Sequence, residues 1–366
     1  MLHPPQPASP RPAALARRPL RHVAVVAIAG TLGACAISDL TNPPNWDLRI
    51  NIPSKTTSIG VGSMLPAGVT IATDSNSFRV TVAASAVIRD LASSCAACVP
   101  LNGLTAPKPA FTFTATNTTV LPADISTATL ASGTIALAIV NGFGFDPINV
   151  AGAATAGTLV ITATDANNRQ LAKDSINGAT TSLAANSTLN RTLTLAAGSL
   201  RGPITISASV NSPAGGSILV NTAQVLRVTG TPQNIAVSSA AVTITNKTIS
   251  TSATELDLSD LDDAFRDRLL GGQIKLTITN PFSVAGNLAV RFQGTGVDFT
   301  KSLALAAGNS APTITLSQTE IRSLTGKVVS LTITGPVTSA TAVTVAPKDK
   351  VTVVTRIEVT ITTETP

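Results

Sequence analysis

The side chains with the most chemical scope are two cysteines three apart, Cys95 and Cys98 in "SSCAACVP". Such a C-x-x-C pair serves a redox centre, half of a zinc site, a c-type haem or a structural disulfide. Haem attachment needs His at position 99, which is Val99. Zinc needs two further thiolate or imidazole ligands. The two histidines, His3 and His22, and the third cysteine, Cys35, all lie within the first 35 residues. A thioredoxin-like pair belongs in a βαβ setting, which the flanking sequence does not offer. The reading these surroundings favour is a local structural disulfide, Cys95 to Cys98, in an oxidising compartment.

Beyond His22 there is no imidazole, so Ser-His-Asp and Cys-His catalysis lack their general base. The chain has no G-x-S-x-G, no S-x-x-K, no P-loop and no complete G-x-G-x-x-G. "SIGVGSML" and "GFGFDP" begin like glycine-rich loops but lack the third glycine, and read as turns. Two acidic runs, Asp257 to Asp263 and Asp165-Ala166-Asn167-Asn168, miss the EF-hand spacing and its glycine. They read as loop acids and a helix start, leaving open a β-sandwich calcium site built from scattered carbonyls. No catalytic residue, no metal ligand and no cofactor is assigned. A His-free hydrolase working through Asp or Ser stays as a minor reading without a visible activating group.

The elements that position these residues begin with residues 1 to 22, which are rich in Pro and Arg and carry no acid. An uncharged apolar run follows, Val23 to Gly33, too short to span a bilayer, which takes about 20 residues. A basic head, a short apolar middle and small residues at the end describe an export signal. Its end, Leu32-Gly33-Ala34-Cys35, resembles the lipobox of bacterial lipoproteins. The resemblance implies cleavage before Cys35, lipid on that residue, and a membrane as first partner. Ala36, where Asp would be a retention signal, implies sorting to the outer membrane, facing the periplasm or the surface. Arg17-Arg18 lacks the flanks of a twin-arginine motif and reads as charge in the basic head.

The net charge of +6 falls to +2 for residues 35–366 once Arg11, Arg17, Arg18 and Arg21 are set aside. That is not the footprint of a nucleic-acid binder. There is no Tyr and one Trp, Trp46, so base- or sugar-stacking platforms are scarce and a membrane barrel would lack its aromatic girdles. At 366 residues and 12% charged, the chain has the size and apolar content for two or three cored domains. Ala, Val, Ile, Leu, Thr and Ser dominate, and β-branched residues fit a pleated surface. The expected fold is all-β.

Two stretches look like copies. "SGTIALAIVNGF" (132–143) matches "GGQIKLTITNPF" (271–282), and later segments keep step. An upstream pair, "FRVTVAASAVI" and "NIAVSSAAVTI", extends the first copy back to 78. Alternation has period two: Ile274, Leu276 and Ile278 oppose Lys275 and Thr277. Val351, Val353, Thr355, Ile357, Val359 and Ile361 oppose Thr352, Arg356, Glu358, Thr360 and Thr362. One buried and one wet face is the antiparallel pattern. The expectation is tandem antiparallel β-sandwiches, immunoglobulin-like or similar. The divisions are a signal over 1–34, a tether over 35–50, a β-rich segment over 51–128, and repeats over 129–231 and 232–366. One short helix is expected over 260–270, capped by Ser259 or Asp260, with Leu261, Phe265 and Leu269 on its apolar stripe. "ITNPF" also resembles the start of the water-stress domain of late-embryogenesis-type proteins, which implies a β-sandwich.

Two functions fit. The first is a non-catalytic envelope lipoprotein, a structural or binding module held through Cys35 and docking to another protein of the envelope. The second is lipid binding or transfer, with long strands such as 350–363 lining an apolar groove and a lipid as ligand.

Overall fold

The computed structural model describes residues 47–261 and 263–362. Helices are few and short, and the chain is all-β, with antiparallel sheets throughout. It begins with β1 (Asp47–Gly60), then β2 (Val69–Ile71), β3 (Phe78–Val80), β4 (Ser85–Asp90) and the one-turn helix α1 (Leu91–Ser94). β5 (Thr105–Lys108) and β6 (Phe111–Thr119) lead into the long β7 (Ile125–Asn141). β8 (Thr158–Thr164), β9 (Gln170–Asn177), β10 (Ser187–Thr194), β11 (Gly198–Leu200), β12 (Ile204–Ser212) and β13 (Gly215–Leu219) follow. After the second long strand, β14 (Val225–Val242), come β15 (Lys247–Ser250), β16 (Thr254–Asp257) and α2 (Asp263–Arg266). β17 (Leu269–Thr279), β18 (Val284–Gly294), β19 (Val297–Leu305), β20 (Thr313–Leu316), α3 (Gln318–Leu324), β21 (Val328–Ser339), β22 (Val343–Val345) and β23 (Lys350–Thr362) complete the described chain.

The two copies fold alike. In the first, the order β10-β7-β14, with β4 on the far side of β14, accompanies a sheet ordered β6-β12-β8-β9. In the second, β20-β17-β23-β1 accompanies β15-β21-β18-β19, with β16 also on β21. So β17 answers to β7, β18 to β8, β19 to β9, β20 to β10, β21 to β12 and β23 to β14. The reason is the repeated alternation. Ile274, Leu276 and Ile278 are buried while Lys275 and Thr277 are exposed, and all six residues of the 351–361 row are buried, Thr355 included. A one-residue slip would expose the whole row, so the pattern fixes the register.

The position of β4 in the first sandwich is held in the second by β1. It pairs antiparallel with β23 from Asp47↔Thr362 to Gly60↔Lys350. The second sandwich is therefore discontinuous: its edge strand comes from the start of the described chain and the rest from 247 onward, with the first sandwich between. The expected divisions move accordingly. Residue 50 lies inside β1, residue 128 inside β7, and the 231/232 junction inside β14. A single strand crosses that junction because β14 bends at a bulge between Gln233 and Ala236, with Asn234 at φ 52°. Its first half pairs β4 and β7, and its second half pairs β3, β22 and β7. Buried side chains from both sandwiches form one continuous core.

The helix expected over 260–270 is a single turn, Asp263–Arg266. Leu269 and Gly271 pair instead with Ile361 and Thr360 at the start of β17, so the stripe breaks: Leu261 and Leu269 are buried and Phe265 is exposed. Among the described residues the longest helix is α3, which the sequence reading did not mark. Ser317 and Glu320 form a reciprocal capping box there, and Ile321 and Leu324 are buried.

Two glycines separate crowding from chain freedom. A Cβ on Gly286 would lie 2.1 Å from the carbonyl oxygen of Pro336 on the neighbouring strand, whereas one on Gly60 meets nothing within 4 Å. Gly286→Ala should lower unfolding free energy by about 1–3 kcal/mol in urea titration, as overpacking does. Gly60→Ala should stay within about 0.5 kcal/mol, as open surface sites do.

Candidate functional site

Cys35, the expected lipid-bearing residue, lies outside the described residues, as do the signal and most of the tether. What the structure places is the point where the chain comes in, Asp47 at the outer end of β1, beside Thr362 at the end of β23. The described chain thus enters the second sandwich at the end formed by Asp47, Leu269 and Ile361. Glu358 secures this edge strand. It takes Arg49 of β1 at 3.3 Å and Lys275 of β17 at 2.6 Å, so one carboxylate ties three strands.

Cys95 and Cys98 are joined as a disulfide, with Cα atoms 5.2 Å apart. Both are buried. α1 presents them: Asp90 caps it by accepting from the Ser93 amide at 2.7 Å, and the Cys95 amide donates to Leu91. Hydrogen bonds from Ser93, the side-chain one foremost, hold the Asp90 carboxyl below its usual range. The Leu91 and Ala92 amides donate to Gln224 and Thr222, which pins this loop to the start of β14. A buried bridge in such a frame braces a loop; a redox pair needs an exposed attacking sulfur.

The carboxylates singled out for calcium have local uses. Asp165 accepts from the Asn167 and Arg169 amides, both at 2.9 Å. The Arg169 guanidinium occupies the carbonyls of Ala196, Ala197 and Ser199. Asp257 takes both the amide and the hydroxyl of Ser259, and the latter bond foremost lowers its pKa. Among the described residues no three His, Cys, Asp or Glu side chains cluster as metal ligands.

Two features were missed from sequence. The first is a pair of buried amides at equivalent places in the two copies. The Asn141 side-chain amide donates to the carbonyls of Phe145, Leu183 and Ala184 at 2.8–3.1 Å, and its oxygen accepts from the Phe143 amide at 3.0 Å. Asn280 does the same toward Val284 and Ala306, and accepts from Phe282 at 3.3 Å. Each Asn clamps the turn that follows its strand to the loop before β10 or β20. The repeated Asn-x-Phe of "NGF" and "NPF" was the visible signal. The second is Lys108, which is 1% exposed. Its ammonium donates to the carbonyls of Pro109 and Pro213 and lies 4.7 Å and 5.5 Å from the ring centres of Phe111 and Phe145. Burial pulls its pKa down from 10.5 to about 8.

An open trough of about 670 Å³ lies on the outer face of β10, β7 and β14. Ala136, Ala138, Asn190, Thr192 and Thr231 floor it, and the Arg191–Asp174 ion pair (3.1 Å) flanks it. The apolar face of β23, which a lipid groove would need, is packed in the core. Among the described residues no helix is long and apolar enough to cross a membrane, which says nothing of strands.

No protein-family model matches this chain, and no curated protein matches it. Among solved structures it is similar to a Parabacteroides distasonis protein described as secreted, at 9% identity and a TM-score of 0.28. The match covers 84% of this chain and 99% of the other. A likeness at that score carries no argument.

The amide clamps and the caged lysine each make a prediction. Asn141→Ala should cost about 2–4 kcal/mol in urea unfolding, because it strands buried carbonyls and an amide. Asn141→Asp, nearly isosteric but without a donor, should not restore the loss. For Lys108, the folded pKa lies below the unfolded one, so between about 8 and 10.5 the unfolded chain binds more protons. Stability should therefore rise with pH across that window and be flat just below it. Lys108→Met should remove this rise, as read from urea midpoints at successive pH values.

Proposed function

We propose that this chain is a bacterial envelope lipoprotein: an acylated Cys35 holds a non-catalytic β-sandwich body at a membrane as a structural or binding module. The observation that carries this reading is Leu32-Gly33-Ala34-Cys35 at the end of a basic-then-apolar leader. Acyl chains contribute about 0.8 kcal/mol per buried CH₂, so more than one on a single residue holds a folded body firmly. Ala36 assigns it to the outer membrane by the family's sorting rule. The location also suits a disulfide, since an oxidising compartment preserves it.

What supports a role without catalysis is that several of the body's carboxylates are committed to structure. Asp146 takes the amides of Ile148, Asn149 and Leu183 and the Ser182 hydroxyl. Glu320 is shared between a helix cap and Lys301, and Glu358 between Arg49 and Lys275. On this reading the module works by docking to another component of the envelope. The lipid-carrier reading is the weaker one, since the 351–361 row fills the protein's own core.

Growth with radioactive palmitate should label the mature protein, and intact-mass analysis should find it beginning at Cys35. Cys35→Ser should lose the label, keep the leader and move to the aqueous phase of a detergent partition. An unlabelled wild type, or a Cys35→Ser form processed normally, would overturn the proposal.

A further inference from the structure

The end of the second sandwich where the chain comes in collects exposed apolar side chains. Leu48 is 54% exposed, Phe265 38%, Leu270 46% and Val328 52%. Pairing brings them to one place. Leu48 of β1 and Leu269 of β17 both pair with Ile361, on either side of β23. Leu270 is next to Leu269. Phe265 sits in α2, whose following turn returns to β23 through Thr362 donating to Arg268 at 2.9 Å. Val328 opens β21 opposite Asp257, where the chain leaves β16 for α2.

We infer that this end of the second sandwich seats directly on the bilayer surface, with Leu48, Phe265, Leu270 and Val328 entering the interfacial layer. The inference rests on the anchor reading and deepens it. Scattered single apolar residues on a surface need no explanation, but a group gathered where the anchor must lie does. Residues 36–46 separate Cys35 from β1, and fully extended they reach about 40 Å. A short tether keeps this end close to the membrane, so its effective concentration there is high and a weak apolar contact suffices. Charges of both signs lie along the segments at this end, Asp47, Asp257, Asp260 and Asp267 with Arg49, Arg266, Arg268, Arg322 and Lys327. The contact is therefore apolar in character, with little dependence on lipid charge or salt.

The test uses the full, lipidated chain in vesicles of phosphatidylethanolamine and phosphatidylglycerol. Phe265→Cys and, on the first sandwich, Leu219→Cys (62% exposed) each receive a fluorophore, and quenching by phospholipids brominated along the acyl chain is measured. Quenching at 265 should be at least twice that at 219 and should persist in high salt. Equal quenching at both sites, or none at 265 on a chain whose mass shows acylation, would overturn the docking and leave the anchor standing. Copy-to-copy crosslinks through 265 would overturn it in favour of self-association. An unacylated chain would sink the anchor and the docking together.

Discussion

The pairing of β1 with β23 is the constraint on which the rest of the structure depends. It joins strands about 300 residues apart and makes the second sandwich discontinuous. An edge strand contributes ladder hydrogen bonds on one side only, and β1 buries little beyond Ile59. Its hold comes from the long register and from Glu358, which bridges Arg49 and Lys275 across β23. Exposed ion pairs of this sort contribute little each, so the backbone ladder carries most of the attachment. Because β1 is also the first described strand, the same pairing decides at which end of the body the preceding residues join it.

Within each sandwich the two halves are tied by a buried amide. A sheet protein must satisfy its backbone where strands give way to turns, and a buried carbonyl without a donor is costly. Asn141 and Asn280 solve this the same way: the side-chain amide serves carbonyls of two separate loops while its oxygen receives the amide two residues on. The acids follow the same logic at the surface, capping helices and closing turns. Polar groups engaged in this way stiffen the loops that join the strands.

Alternation was legible because a period of two is local: the faces of β17 and β23 follow from neighbouring residues alone. So was the kinship of the two copies from 132 and 271 onward, whose matched segments became matched strands, whereas the upstream match of 78–88 with 234–244 fails because β3 pairs with that half of β14. The helix over 260–270 was overextended because Leu269 answers two demands, an apolar stripe and a ladder with Ile361, and the ladder prevailed. α3 was legible in principle: Ser317-Gln318-Thr319-Glu320 is a capping box before Ile321 and Leu324. The caged Lys108 was not legible, since Phe145 and Pro213 reach it only through the folded sheet.

By itself the sequence determined the β class, the inward and outward faces, the repeated Asn-x-Phe turns, and a basic-then-apolar run that ends at Cys35. These are short-range properties, set by side-chain size, branching and charge over a few residues. The tertiary structure alone decided which strand completes which sandwich, which carbonyls the two asparagines serve, and that Leu48, Phe265, Leu270 and Val328 share one end. The reason is that strand pairing is non-local: many partners satisfy the same alternation, and the choice among them is made when the whole core closes.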